Sequence, residues 1–267
     1  MKQNDRDFVV ALARGLQVLD CFDPVEPVLG NKAIAERTGL PRATVCRLTH
    51  TLTELGYLRR HVDSSQYELG SAVLSIGYPM LASMKIRQAA HPFMQTLANQ
   101  VKGCVNAGIR DRTNIVYVET CRVSEELPRA PDIGSCAPIV QSSIGRAWLA
   151  AAPQQERHDI LQRVRYETPE LWKAYRRAVE ESLREFPHRG FCTSFGDVDA
   201  STWAVAVPMR RRPGEQQIVF NCTAPAFRIN KRYVENEMGP ALRAMVSAVE
   251  ESFVPVHAKA LTDEQNT

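Results

Sequence analysis

Arg42, Arg47, Arg59 and Arg60 are the side chains best equipped for chemistry here. They crowd into one stretch, IAERTGLPRATVCRLTHTLTELGYLRR, Ile34 to Arg60. A guanidinium is a rigid fork of donors that grips a phosphate or pairs bidentately with a guanine edge. Between Asn31 and His61 stand six Lys or Arg (Lys32, Arg37, Arg42, Arg47, Arg59, Arg60) against two acids, Glu36 and Glu54. That local excess of four occurs in a chain whose formal net charge is only +3, so the distribution of charge carries information that the total does not. Thr44 adds a methyl suited to a thymine, and His50 a further polar group.

A second chemistry would be thiol-based. Cys192 and Cys222, with His188 and Asp197, are the residues an enzyme could use, but a catalytic cysteine needs a base within hydrogen-bond reach and an electropositive setting. The seven cysteines are scattered singly, with no Cys-x-x-Cys pair and no histidine at zinc-ligand spacing. They predict neither a disulfide framework nor a structural metal. No nucleophile elbow, phosphate loop or metal triad is present, so we expect no catalytic residues, no metal and no cofactor, with a thiol-dependent enzyme domain as the alternative. The N-terminal run MKQNDRDFVVALARGL lacks the apolar core of a secretory signal, and nowhere do eighteen apolar residues run together. The expectation is a soluble cytoplasmic protein without a membrane partner.

The elements that must position the arginines are legible from periodicity. Val9, Leu12, Leu16, Leu19 and Phe22 form a helical stripe, and Pro24 to Gly30 end it. Asn31 is placed to cap a second helix, Lys32 to Thr38, which Gly39 terminates. Pro41 suits the first turn of a third helix, in which Val45, Leu48, Leu52 and Leu55 form one buried face. With that face inward, Arg42, Ala43, Thr44, Cys46, Arg47 and His50 point outward. YLRRHVDSSQYEL then reads as two short strands around Asp63, Ser64 and Ser65. Two helices joined by a glycine turn and followed by a hairpin form a winged helix-turn-helix, whose second helix enters the major groove. Arginines on an amphipathic helix ordinarily just solvate it. Here the glycine turn, the N-terminal position and the basic hairpin all favour DNA, with Lys32, Pro41, Arg42, Ala43, Thr44, Cys46, Arg47, His50, Arg59 and Arg60 as the contact set.

Beyond residue 70 the expectation is a helix kinked at Pro79, then a helix around Pro92, then hairpin strands in CVNAGI and IVYVETC. A helix opens at SSIGRAWLAAA, capped by Ser142 or Ser143. Another spans TPELWKAYRRAVEESLREF, with Thr168 as cap and Pro169 at its first position. STWAVAVPMR and QQIVFNCTA are strands about a turn at Pro213–Gly214, and YVENEMGPALRAMVSAVEESF is the last helix. The reading is an α+β chain. A winged helix-turn-helix over residues 1–70 is followed by a linker helix over 71–90, a mixed α/β domain with a largely antiparallel sheet over 91–254, and a frayed tail over 255–267.

ARGLQVLDCF, AIAERTGLPRATVCRLTHTLTELGYL and YELG closely resemble the N-terminal domain of IclR-type transcriptional regulators, the isocitrate-lyase-regulator family. The likeness continues through HPFMQTLANQV, IVYVETCRV, SSIGRAWLA, HRGF and TAP, from about Phe8 to Phe253. It implies a C-terminal effector-binding domain with a curved antiparallel sheet, distantly like GAF domains, and assembly as a homodimer or homotetramer. The implied partners are double-stranded operator DNA, a small organic acid and, for an activator, RNA polymerase. Carried over by position, Ser143 and Ile144 turn backbone N–H groups toward the ligand, Ser194, Trp203, Ala204, Asn221 and Thr223 surround it, and Ala137 forms an apolar wall. A helix N-terminus with unpaired N–H donors suits a carboxylate. Ser194 stands where many relatives carry an acid, and Trp203–Ala204 where many carry Arg-Cys. With Phe191 and Phe195 near, these departures favour an aromatic or larger acid.

Overall fold

Four helices and a hairpin build the first of two compact units, Met1–Ser83, in the computed structural model, which describes residues 6–62, 64–123, 131–212 and 214–253. Helix α1 (Val10–Leu19), α2 (Asn31–Thr38) and α3 (Arg42–Glu54) precede strands β1 (Leu58–Arg60) and β2 (Tyr67–Leu69). Their core is Val18, Leu29, Ile34, Val45, Leu52, Leu58 and Tyr67. Burying an aliphatic side chain of this kind stabilises by about 1.5–3 kcal/mol, so this short cluster suffices to hold α3 against the hairpin. Between α2 and α3 the chain turns at Gly39, whose φ of +69° only glycine adopts without strain. Its N–H caps α2 on Ala35 O.

Several local expectations are corrected. Gly30, not Asn31, is the capping residue of α2, and Asn31 is its first residue. Asn31 instead ties α2 to α3, accepting from the buried Thr49 hydroxyl at 3.1 Å and donating to Cys46 Sγ at 3.3 Å. Pro41 precedes α3 as its cap residue rather than opening its first turn. Leu55 lies just past α3 and is exposed, while Thr49 takes a place in the buried face. In α1 the first part of the stripe is turned outward, with Val9, Leu12 and Leu16 exposed, while Leu19 and Phe22 pack against the core beside the buried Val18. Asp63 of the expected turn, Pro213 and the tail from 255 lie outside the described residues.

Helix α4 (Ser71–Ser83) contains Pro79 and closes the first unit, with none of its residues buried. A new helix, α5 (Lys85–Val101), follows at once with Pro92 inside it, so the helix expected to span 71–90 ends at Ser83. The second unit, Met84–Thr267, holds a six-stranded, wholly antiparallel sheet. Its strands are β3 (Cys104–Asp111), β4 (Asn114–Arg122), β5 (Cys136–Pro138), β6 (Cys192–Phe195), β7 (Thr202–Pro208) and β8 (Ile218–Pro225), in the order β5-β4-β3-β8-β7-β6. Helix α6 (Ser143–Ala151) lies on one face of the sheet, backed by α7 (Gln154–Glu167) and α8 (Pro169–Arg189). The sequence reading passed over α7. Thr168 precedes α8 without a side-chain cap, because its hydroxyl bonds back to Val164 O in α7. On the other face pack α5 and the terminal helix, which runs as α9 (Lys231–Tyr233), a wide π turn (Val234–Met238) and α10 (Gly239–Ser252). The chain is therefore α+β.

Candidate functional site

The face expected to meet DNA is formed by α3 and the hairpin. Pro41, Arg42, Ala43, Cys46, Arg47 and His50 are exposed, and Thr44 is half-buried. Opposite them Val45, Thr49 and Leu52 hold the helix down. The guanidinium groups of Arg42, Arg47 and Arg60 make no ion pair among the described residues, so they are available to phosphates. Arg59 differs. It lies 3.1 Å from Glu68, its cross-strand partner, which already meets part of its charge. Lys32 is exposed and 4.0 Å from Glu36 one turn on, a contact worth little at the surface.

In the second unit the start of α6 is built with care. Ser142 caps it, its Oγ accepting from Gly145 N at 3.2 Å while Ser142 O takes the Arg146 N–H. A side chain at Gly145 would strike the Ile139 backbone, so glycine lets this helix start press against the preceding loop. The N–H groups of Ser143 and Ile144 are left as the first-turn donors without partners among the described residues. Arg146, almost fully buried, donates to Gln141 O, Thr193 O and the Asp197 carboxylate. It thereby pins the β6–β7 loop.

A cavity of about 60 Å³ opens at this helix start, lined by Tyr117, Pro131, Ser142, Ser143, Ser194, Val198, Asp199, Thr202, Ala204, Asn221 and Thr223. Strand register explains the grouping. Cys104, Thr223, Ala204 and Ser194 form one row across β3, β8, β7 and β6, and Asn106 and Asn221 form the neighbouring row on the same face. Five expected residues thus meet here: Ser143, Ser194, Ala204, Asn221 and Thr223. Three do not line it. Ala137 packs into the core around Ile115 and Trp148. The Ile144 side chain is buried against Gly108. Trp203, one residue from Ala204, faces the opposite side of the sheet, where its ring meets Phe195 edge-on at 5.2 Å. The aromatic pair invoked for the ligand is therefore a packing contact elsewhere. Tyr117, Pro131, Val198, Asp199 and Thr202 were missed because they come from strand and loop segments that only the folded sheet brings together. Burial pushes the Tyr117 phenol well above its ordinary range, so it stays protonated.

The thiol site does not form. Burial pushes Cys192 up to about 12 and raises Cys222 further, so both remain thiols. Cys222 lies between Asn221 and Thr223 and faces away from their side of the sheet, and His188 is exposed on the last turn of α8.

An N-terminal helix-turn-helix unit joined to an α+β unit defines the class, a helix-turn-helix DNA-binding protein with a second domain. Comparison with known families narrows it. Residues 11–61 match the IclR helix-turn-helix domain, and residues 78–251 match the bacterial transcriptional regulator IclR C-terminal domain. The chain belongs to the IclR family of transcriptional regulators, not to an enzyme family. It is 31% identical over 252 residues to the HTH-type transcriptional regulator TsaQ1/TsaQ2 of Comamonas testosteroni, covering 94% of this chain and 90% of that one. The crystal structure of an IclR family transcriptional regulator from Brucella abortus matches with a TM-score of 0.84 and 43% identity over 96% of both chains. An IclR homologue from Microbacterium hydrocarbonoxydans, crystallised with 4-hydroxybenzoate, shares the fold with a TM-score of 0.68, 23% identity and coverage of 90% and 98%. No helix among the described residues is long and apolar enough to cross a membrane.

Proposed function

We propose that this regulator reads an operator through α3 and the hairpin, and that a small organic acid, with an aromatic ring favoured, tunes that binding from the second unit. The observation that carries the ligand half is the convergence, in one cavity, of the α6 start with Ser143, Ser194, Asn221 and Thr223. Backbone N–H donors at a helix start, hydroxyls and an amide are the partners a carboxylate needs once it leaves water. The Microbacterium homologue's 4-hydroxybenzoate supports an aromatic member of that class. The cavity of about 60 Å³ is far below the roughly 300 Å³ and more typical of ligand pockets. Entry therefore widens it.

The DNA contacts are Lys32, Pro41, Arg42, Ala43, Thr44, Cys46, Arg47, His50 and Arg60, with Arg59 divided between Glu68 and phosphate. The regulator acts in the cytoplasm as a dimer or tetramer and touches RNA polymerase where it activates. The test combines thermal melting against a panel of aromatic and aliphatic carboxylates with gel shifts on DNA upstream of the protein's own gene. A ligand that binds only the folded state raises the melting midpoint. The expected result is an aromatic acid that raises it and changes DNA affinity. A panel that moves neither quantity overturns the ligand half of the proposal.

A further inference from the structure

Beneath the cavity lies a buried amide relay. Thr120, Asn106 and Asn221 stand in one cross-strand row on β4, β3 and β8. Asn106 is fully buried and Asn221 nearly so. The Asn106 Oδ1 accepts from the Thr120 hydroxyl at 2.7 Å and from the Cys104 thiol at 2.9 Å, and its Nδ2 donates to Asn221 Oδ1 at 2.9 Å. An amide has one acceptor end and one donor end, so fixing one neighbour fixes the next. With its oxygen turned toward Asn106, Asn221 presents its Nδ2 end to the cavity, and those hydrogens have no acceptor among the described residues.

We infer that Asn106, a residue outside the cavity wall, sets the hydrogen-bonding polarity of the ligand site. It turns Asn221 so that only N–H faces inward, and the ligand group seated there is a pure acceptor, a carboxylate, rather than a carboxamide. This rests on the reading of the cavity as the effector site. The neighbouring groups agree. Ser143 and Ser194 add hydroxyls that rotate to donate, and the Ser143 and Ile144 N–H groups can only donate. Thr223 already spends its proton on Cys104 O at 3.4 Å, which leaves the amide as the decisive side chain. The competing arrangement turns both amides over and sends the Thr120 proton to Pro131 O, a longer contact at 3.3 Å. The shorter contacts favour the first arrangement.

Two measurements decide it. In the free full-length protein with ¹⁵N-labelled asparagine, the Asn106 NH₂ should be protected from solvent exchange and the Asn221 NH₂ exchange roughly tenfold faster or more, because its hydrogens face the cavity. Protection of both, as the reversed relay requires, overturns the inference. The second measurement is calorimetry with benzoate and benzamide. Wild type should prefer the carboxylate by roughly tenfold or more, and Asn106→Leu, which keeps the volume but frees Asn221, should bring the two within about threefold. An unchanged preference in Asn106→Leu overturns the inference, and Thr120→Val serves as the milder variant if the first does not fold. Should wild type bind neither probe, the aromatic-acid reading fails, while the exchange experiment still judges the role of Asn106.

Discussion

The Arg146 guanidinium lies 2.7 Å from the Asp197 carboxylate, joining the first turn of α6 to the loop that carries Val198 and Asp199 into the cavity wall. Gln141 and Tyr175 donate to Asp197 O as well, at 2.6 and 2.9 Å, so one loop residue is held from three sides. The arginine side chain is 2% exposed and the aspartate 28%, so the pair is neither fully dry nor openly solvated.

Arg146→Met should therefore cost about 2–4 kcal/mol, somewhat less than removal of a partner from a fully buried pair, because water still reaches Asp197. Thermal melting gives the stability loss, and faster amide exchange between Ser194 and Thr202 marks the released loop. A variant that melts like wild type would mean the pair does not hold the wall.

Arg42→Ala and Arg47→Ala should each weaken operator binding by about 1–3 kcal/mol if the arginine reads a base. Neither side chain is part of the buried α3 face, so folding should be untouched. Arg59→Ala should cost less than Arg60→Ala, since Glu68 already holds Arg59. Equal affinities for all four variants in a gel-shift titration would remove α3 and the hairpin from the interface.

Thr223→Val keeps the shape of the cavity wall and deletes one hydroxyl. That hydroxyl donates to Cys104 O, so its loss alone should change affinity little. Asn221→Ala, by contrast, leaves a buried acceptor of the ligand unpaired and should cost about 1–3 kcal/mol, roughly tenfold or more in affinity. Calorimetry with the active acid should show that loss, with ligand-free DNA binding unchanged. No change in Thr223→Val and Asn221→Ala together would place the ligand elsewhere.

Alkaline pH should weaken the fold through its buried thiols. An ordinary cysteine ionises near 9.0, whereas burial holds the proton on Cys121 up to about 11 and on Cys192 up to about 12. Above pH 9 the unfolded chain has lost protons that the native state keeps, so stability falls as pH rises through that window. Cys192→Ala should flatten the fall between pH 9 and 11 in urea titrations. At pH 8, alkylation should mark the exposed Cys46 and Cys136 well before Cys104, Cys192 or Cys222, as read by peptide mass.

Assembly should follow from apolar surface. Leu74, Ile76, Tyr78 and Met80 of α4 are exposed, as are Val9, Leu12 and Leu16 at α1. A helix this apolar with no buried residue should offer a surface to a second copy of the chain. A single winged helix also covers too few base pairs for tight specific binding. Light scattering at micromolar concentration should give a dimer or larger, and Leu74→Glu with Ile76→Glu should shift it toward monomer. A monomeric wild type would contradict this.

The sequence by itself determined the helix-turn-helix and most of the strands and helices that follow, though not α7, β5 or β6. Those features rest on local rules: 3.6-residue apolar spacing in α3, a glycine where φ must be positive at Gly39, and Ser142 at the cap of α6. It also singled out Ser143, Ser194, Asn221 and Thr223, through family likeness rather than through any local signal. Tertiary structure decided the rest. Whether Val18 or Leu16 is buried in α1 depends on which face meets α3, and periodicity is silent on that. Trp203 and Ala204 are adjacent in sequence, yet strand pleating sends them to opposite faces, so only sheet register shows that Ala204 meets the cavity and Trp203 does not. Asn106 lies 115 residues from Asn221, and its control over that amide exists only because β3 and β8 pair in this register. Hydrogen-bond polarity passes through space from one amide to the next, and no spacing along the chain encodes it.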